Sequence, residues 1–102
     1  MQKETGVSSA KTIIEMFLSS EIMADIVLFF RSNPQLIVNG DQIAFKVGRN
    51  FKLIEGDLEK LVELGILRTE KSERQNWYAF DVERDRQIQR VIEDYILDFE
   101  DS

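Results

Sequence analysis

Apolar positions recur at helical intervals over the first third of the chain. Ala10, Ile13, Ile14, Phe17 and Leu18 form the stripe of an amphipathic helix that Ser8 or Ser9 can cap. Ser19-Ser20 breaks that stripe and offers a new cap, with Glu21 in the first turn, where a carboxylate suits the helix dipole. The next helix is expected over Glu21 to Ser32. Its Ile22, Met23, Ile26, Val27, Phe29 and Phe30 cover a wide face, which predicts the most buried helix of the chain. Asn33-Pro34 ends it, because the residue before a proline is pushed out of helical geometry. Leu36-Ile37-Val38 reads as a short strand and Asn39-Gly40 as a turn, with Asn39 and Gln42 spaced like the two ends of a capping box.

From Gln42 to Leu67 the pattern becomes two short helices with a tight junction. Ile43, Ala44 and Val47 lead to Gly48. After Arg49-Asn50, the residues Ile54, Leu58, Leu61 and Val62 share one helical face, and Gly65 stops the run. Small Ala44 lets the helices approach, and Gly48 permits the turn, so the pair reads as a helix-turn-helix. Phe51, at the junction, is expected to point inward. Ile66 to Glu70 and Trp77 to Phe80 read as two strands joined by the tip Lys-Ser-Glu-Arg-Gln-Asn, residues 71–76. Asp81 can cap a last helix with Ile88, Val91, Ile92, Tyr95, Ile96 and Phe99 on one face. Trp77, Tyr78 and Phe80 could form an aromatic binding surface, but strand spacing favours core and strand-pairing roles.

The stretch Ile43-Ala44-x-x-Val47-Gly48, Ile54, and Leu58-x-x-Leu61-x-x-Leu64-Gly65-Ile66-Leu67 resembles the winged helix-turn-helix domains of ArsR- and MarR-type transcription regulators. Looser similarity runs over residues 17–80, and Ser-Ser-Glu-Ile-Met-Ala-Asp-Ile-Val-Leu-Phe-Phe-Arg-Ser-Asn-Pro is similar to the first core helix of that fold. The resemblance implies a mainly α fold with a small β-wing: a three-helix core plus a β-hairpin over 20–80, with extra N- and C-terminal helices over 8–18 and 82–100. The 102 residues suffice for one domain of this kind, with 1–7 expected to be frayed.

Charge bears on what such a fold could bind. The net charge is −6, but residues 81–102 hold three Arg against eight Asp and Glu, whereas residues 41–80 hold seven charges of each sign. The helix-turn-helix and wing are therefore neutral overall, which leaves room for a local basic patch. With no cysteine and no histidine, disulfides, thiolate chemistry, nucleophilic triads and histidine-ligated metals are excluded. The carboxylates Glu93, Asp94 and Asp98 read as a solvated helix face, so neither an enzyme nor a cofactor or metal site is expected. No apolar run is long enough to span a bilayer, and Met1 to Gly6 lacks a signal-peptide core, which favours a cytoplasmic protein.

The family resemblance implies double-stranded DNA as partner. Lys46, Arg49 and Lys52 are then the candidates for phosphate contact around the turn, Lys60 lies on the outward face of the recognition helix, and Lys71 and Arg74 sit at the wing tip. Glu55 and Glu59 on that outward face would point negative charge at a polyanion, which favours the competing class, a winged-helix protein-interaction module without specific DNA binding. A homodimer is expected from the apolar excess on the flanking helices, with Ile13, Phe17, Ile88, Ile92, Tyr95 and Phe99 at its interface. The other option is that these two helices pack on each other within one chain.

Overall fold

The computed structural model describes residues 10–101, and the side chains of residues 11–97. Its elements run α1 (Ala10–Leu18), α2 (Glu21–Ser32), β1 (Ile37–Asn39), α3 (Gly40–Val47), α4 (Phe51–Glu63), β2 (Leu67–Lys71), β3 (Asn76–Phe80) and α5 (Val82–Asp101). The three strands form an antiparallel sheet in the order β1-β3-β2, with Val38 opposite Tyr78 and Leu67 opposite Phe80. Helices α2, α3 and α4 pack together, and the β2-β3 hairpin projects from the end of α4. This is a winged helix-turn-helix with an additional helix at each end.

Local chemistry sets each boundary. Ser20 caps α2 by accepting from the Met23 amide at 3.0 Å. At α3 the capping box is complete: Asn39 Oδ1 accepts from the Gln42 amide at 2.8 Å, and Gln42 Oε1 accepts from the Asn39 amide at 2.9 Å. Gly48 ends α3 at φ 68° and Gly65 follows α4 at φ 82°, both in the left-handed region where a side chain would be strained. Asp81 Oδ1 accepts from the Arg84 amide and starts α5. The expected caps Ser8 and Ser9 lie outside the described residues.

The core joins all these elements. Ile13, Met23, Ile26, Phe30, Ile43, Ile54, Leu58, Leu61, Ile66 and Ile88 are buried in one cluster with Tyr78 and Phe80. Phe30 stacks on Phe80 with ring centroids 5.9 Å apart, tying α2 to the sheet. Period two along β3 sends Tyr78 and Phe80 inward. Trp77 therefore lies on the opposite face, half-buried across from Glu70 and Asn39, and is not a core residue. Ala44 is buried where α3 meets its neighbours. Ala44→Leu is expected to lower stability by about 1–2 kcal/mol through overpacking, read as a lower midpoint in urea at unchanged slope; an unchanged midpoint would contradict the packing assigned to α3.

Two long-range polar contacts hold α5 against this core. The Arg31 guanidinium donates from Nε and Nη2 to both carboxylate oxygens of Asp85, each at 2.9 Å, and Gln89 Nε2 donates to the same carboxylate at 2.8 Å. Arg84 Nε donates to the Leu64 carbonyl at 2.7 Å, satisfying a free acceptor at the end of α4, and its side chain lies against Gly65.

Candidate nucleic-acid interface

Helix α4 is the second helix of the motif. Ile54, Leu58 and Leu61 fix one face in the core, so Lys52, Leu53, Glu55, Gly56, Glu59, Lys60 and Glu63 are left exposed or part-exposed on the other side. Asn50 Oδ1 caps the helix through the Lys52 amide at 2.9 Å. Asp57, on the flank, accepts from Ser20 Oγ at 3.2 Å, which ties α4 to the start of α2. A Cβ at Gly56 would meet nothing within 4 Å, so the outer surface is open at mid-helix. Phe51 points inward as expected and packs against the core. Its ring occupies the space that a side chain at Gly40 would need, with Cδ1 2.9 Å from an ideal Cβ there.

All six expected DNA contacts are exposed. Lys46 lies in the last turn of α3, Lys52 in the first turn of α4 and Lys60 in its last turn. Arg49, in the turn, is an ion-pair partner of Asp25 at 3.3 Å. Both side chains are more than a third exposed, so the pair contributes little to stability, but it offsets part of the charge that Arg49 offers to a phosphate. Lys71 is the last residue of β2, opposite Asn76, leaving residues 72–75 as the wing tip with Arg74 in it. Ser72 closes the tip by donating from its amide and Oγ to the Gln75 carbonyl, and Asn39 Nδ2 reaches across to Gln75 Oε1 at 2.9 Å. The wing is thereby tied to the start of α3.

Sequence reasoning missed several members of this face. Asp25, 24 residues before Arg49, gives no local signal of the pairing. Asp41 and Glu73 join Glu55 in lining the cleft between α3, α4 and the wing tip, although only Glu55 and Glu59 could be placed on that face from helical spacing. Phe45 of α3, 81% exposed, is a further apolar side chain without such a signal, whereas Leu53, 62% exposed, lies on the outward face of α4 where helical spacing puts it. Among the described residues, no group of three or more acidic side chains is arranged to hold a metal ion.

The flanking helices pack together within one chain. Ile13 and Ile88, two of the six residues expected at a dimer interface, are enclosed there with no appreciable exposure. Phe17, Ile92 and Tyr95 are half-buried, and the Phe99 side chain lies outside the described residues. Beside them, α1, α2 and α5 leave an apolar groove of about 400 Å³ lined by Ile14, Phe17, Leu18, Leu28, Ile92 and Ile96. Leu28 of α2 was not among the expected interface residues, yet it is as exposed as Leu97.

The same chain trace occurs in several solved structures. A protein from the thermoacidophilic archaeon Sulfolobus tokodaii matches with a TM-score of 0.66 at 16% identity, over 79% of this chain and 80% of that one. A protein from Methanosarcina mazei, described as a possible transcriptional regulator, matches with a TM-score of 0.67 at 15% identity, over 89% and 79%. The AntR antimony-specific transcriptional repressor matches with a TM-score of 0.62 at 16% identity, over 99% of this chain and 90% of its own. At these identities the likeness is one of fold. No protein-family model and no curated protein sequence matches the chain. Among the described residues, no helix is long and apolar enough to cross a membrane.

Proposed function

We propose that the protein is a cytoplasmic DNA-binding transcriptional regulator that works as a homodimer, with α4 as recognition helix and the β2-β3 hairpin as wing. The observation that carries this reading is a set of exposed cations on three elements: Lys46 on α3, Lys52 and Lys60 on α4, and Lys71 and Arg74 on the wing. A duplex laid against α4 would receive phosphate contacts at the turn and the wing while the open surface at Gly56 faces the groove. Two of the matched structures are described as a possible transcriptional regulator and as a transcriptional repressor, which supports the same reading.

The test is binding to duplex DNA by fluorescence anisotropy. Lys52→Ala and Arg74→Ala are each expected to weaken binding to every sequence and to lower the salt slope by about one unit. Arg49→Ala should do less, because Asp25 already faces that guanidinium. Glu55→Gln with Glu59→Gln should strengthen binding, since both carboxylates oppose the phosphate charge. If neither the wild type nor this double variant binds at low salt, the second reading takes over: a protein-interaction module, favoured by the exposed apolar side chains Phe45 and Leu53.

The dimer would close the apolar groove beside α1 and α5. Leu18, Leu28 and Ile96 are 81%, 57% and 47% exposed, and a second copy related by a two-fold axis would cover them while carrying two recognition helices on one side. Light scattering at micromolar concentration should give twice the 11.9 kDa chain mass. Leu28→Glu should reduce it to one chain, and Arg74→Glu should not. A wild-type mass of one chain contradicts the dimer.

A further inference from the structure

The cleft between the recognition helix and the wing has a composition at odds with a surface made only for phosphate. Its volume is about 410 Å³, and each of three elements brings one carboxylate to it: Asp41 from α3, Glu55 from α4 and Glu73 from the wing tip. Arg74 is the one cation among its lining residues. Among the described residues, none of the three carboxylates has an ion-pair partner. Phe51 and Tyr78 also line it. Tyr78 is only 7% exposed, yet among the described residues its hydroxyl has no hydrogen-bond partner. A buried tyrosine hydroxyl ordinarily finds one, so an unpartnered hydroxyl on a residue that lines a cleft points to a group that arrives from outside. The Asn39–Gln75 hydrogen bond holds the wing against the start of α3, which keeps the walls in place without a ligand.

We propose that this cleft binds a small organic cation, an aliphatic amine bearing ammonium groups. An ammonium donates three hydrogen bonds and accepts none, which matches carboxylates plus a phenolic oxygen and excludes an anion. Bonds of this kind are charge-assisted and stronger than neutral ones. The alkyl stem would lie against Phe51, whose ring face also attracts the charge. A compact divalent metal is a poor occupant, because the carboxylates are not gathered closely enough to ligate one. Occupation has a consequence that rests on the DNA reading: the bound ammonium cancels negative charge beside Lys52 and Arg74, so the amine promotes binding to DNA.

The experiment is a two-dimensional amide NMR titration of the full chain with spermidine, without DNA and at constant ionic strength. Saturable shifts are expected at Asp41, Glu55, Glu73 and Tyr78. Glu55→Gln with Glu73→Gln should weaken binding about tenfold or more, the loss of charge-assisted bonds. Tyr78→Phe should weaken it by a smaller factor without lowering the melting temperature, since the hydroxyl has no partner among the described residues. Shifts that never saturate, that spread along acidic α5, that magnesium reproduces, or that persist unchanged in the double Gln variant overturn the site. A second arm measures duplex binding with and without spermidine in the wild type and the double Gln variant. Because spermidine also binds DNA, only promotion seen in the wild type and lost in the variant supports the coupling; equal effects in both overturn it. Saturation at the cleft in a protein that binds no DNA sustains the site and removes the regulator reading, whereas DNA binding without saturation does the reverse.

Discussion

Arg31→Ala is expected to destabilise the protein by about 3 kcal/mol, and Asp85→Ala by clearly less. The two changes break the same bidentate pair, but they strand different groups. The Asp85 side chain is 4% exposed, so without Arg31 its carboxylate stays in the protein interior with the Gln89 amide as its one side-chain donor among the described residues. The Arg31 side chain is 39% exposed, so without Asp85 its guanidinium can turn into water. Removing one partner of a buried pair costs most when the remaining charge cannot be solvated. Thermal unfolding should show Arg31→Ala lowered by roughly 10 °C or more, at about 4–8 °C per kcal/mol for a domain of this size. Equal losses for the two variants would mean that water already reaches Asp85 and that the pair does not anchor α5 to α2.

Gly40→Val should cost about 3 kcal/mol, the upper end of the range for overpacking. A better helix former than glycine would otherwise gain something at this position, up to about 1 kcal/mol. The steric term outweighs that gain because the Phe51 ring already fills the space beside the Gly40 backbone and is itself packed on the core. A double-mutant cycle isolates the contact. Phe51→Ala alone loses packing, but Gly40→Val combined with Phe51→Ala should cost less than the sum of the two, by roughly 1–2 kcal/mol. Strict additivity would show that the ring does not sit against Gly40. The cleft would lose shape in the same variants, since Gly40 and Phe51 both line it.

The fold was legible where the chain obeys a local rule. Ile54, Leu58 and Leu61 repeat at helical spacing, Asn39 and Gln42 sit at capping-box distance, and Gly48 and Gly65 adopt the left-handed conformation that each helix end needs. Strand boundaries differed by one residue, with β2 starting at Leu67 and β3 at Asn76, because strand ends are set by the partner strand as much as by composition. The contacts without a sequence signal join residues far apart in the chain. Arg31 and Asp85 are separated by 54 positions, and Asp85 looks like one more acid on a solvated helix until α2 is placed beside it. The same holds for Phe51 over Gly40 and for Asp25 with Arg49.

The candidate interface was half legible for the same reason. The exposed cations follow from helical spacing and the hairpin turn, so the order of residues along the chain is enough to place them. The acidic cleft has no such signature, since Asp41, Glu55 and Glu73 come from three separate elements that only the tertiary fold brings together. On the flanking helices, periodicity identified the apolar faces but could not divide them between the chain's own core and a second copy. Ile13 and Ile88 went to the core, and Leu18, Leu28 and Ile96 remain on the surface.

Binding of the wild-type chain to duplex DNA as a function of salt tests the central claim most directly. The cations exposed across α3, α4 and the wing predict that log K falls linearly with log salt, with a slope of about −0.9 for each phosphate neutralised and therefore of several units for a protein that engages most of them. A measurable association at low salt with such a slope is the predicted result. No association at the lowest salt, or an association whose strength does not change with salt, would contradict the assignment of this winged helix to DNA.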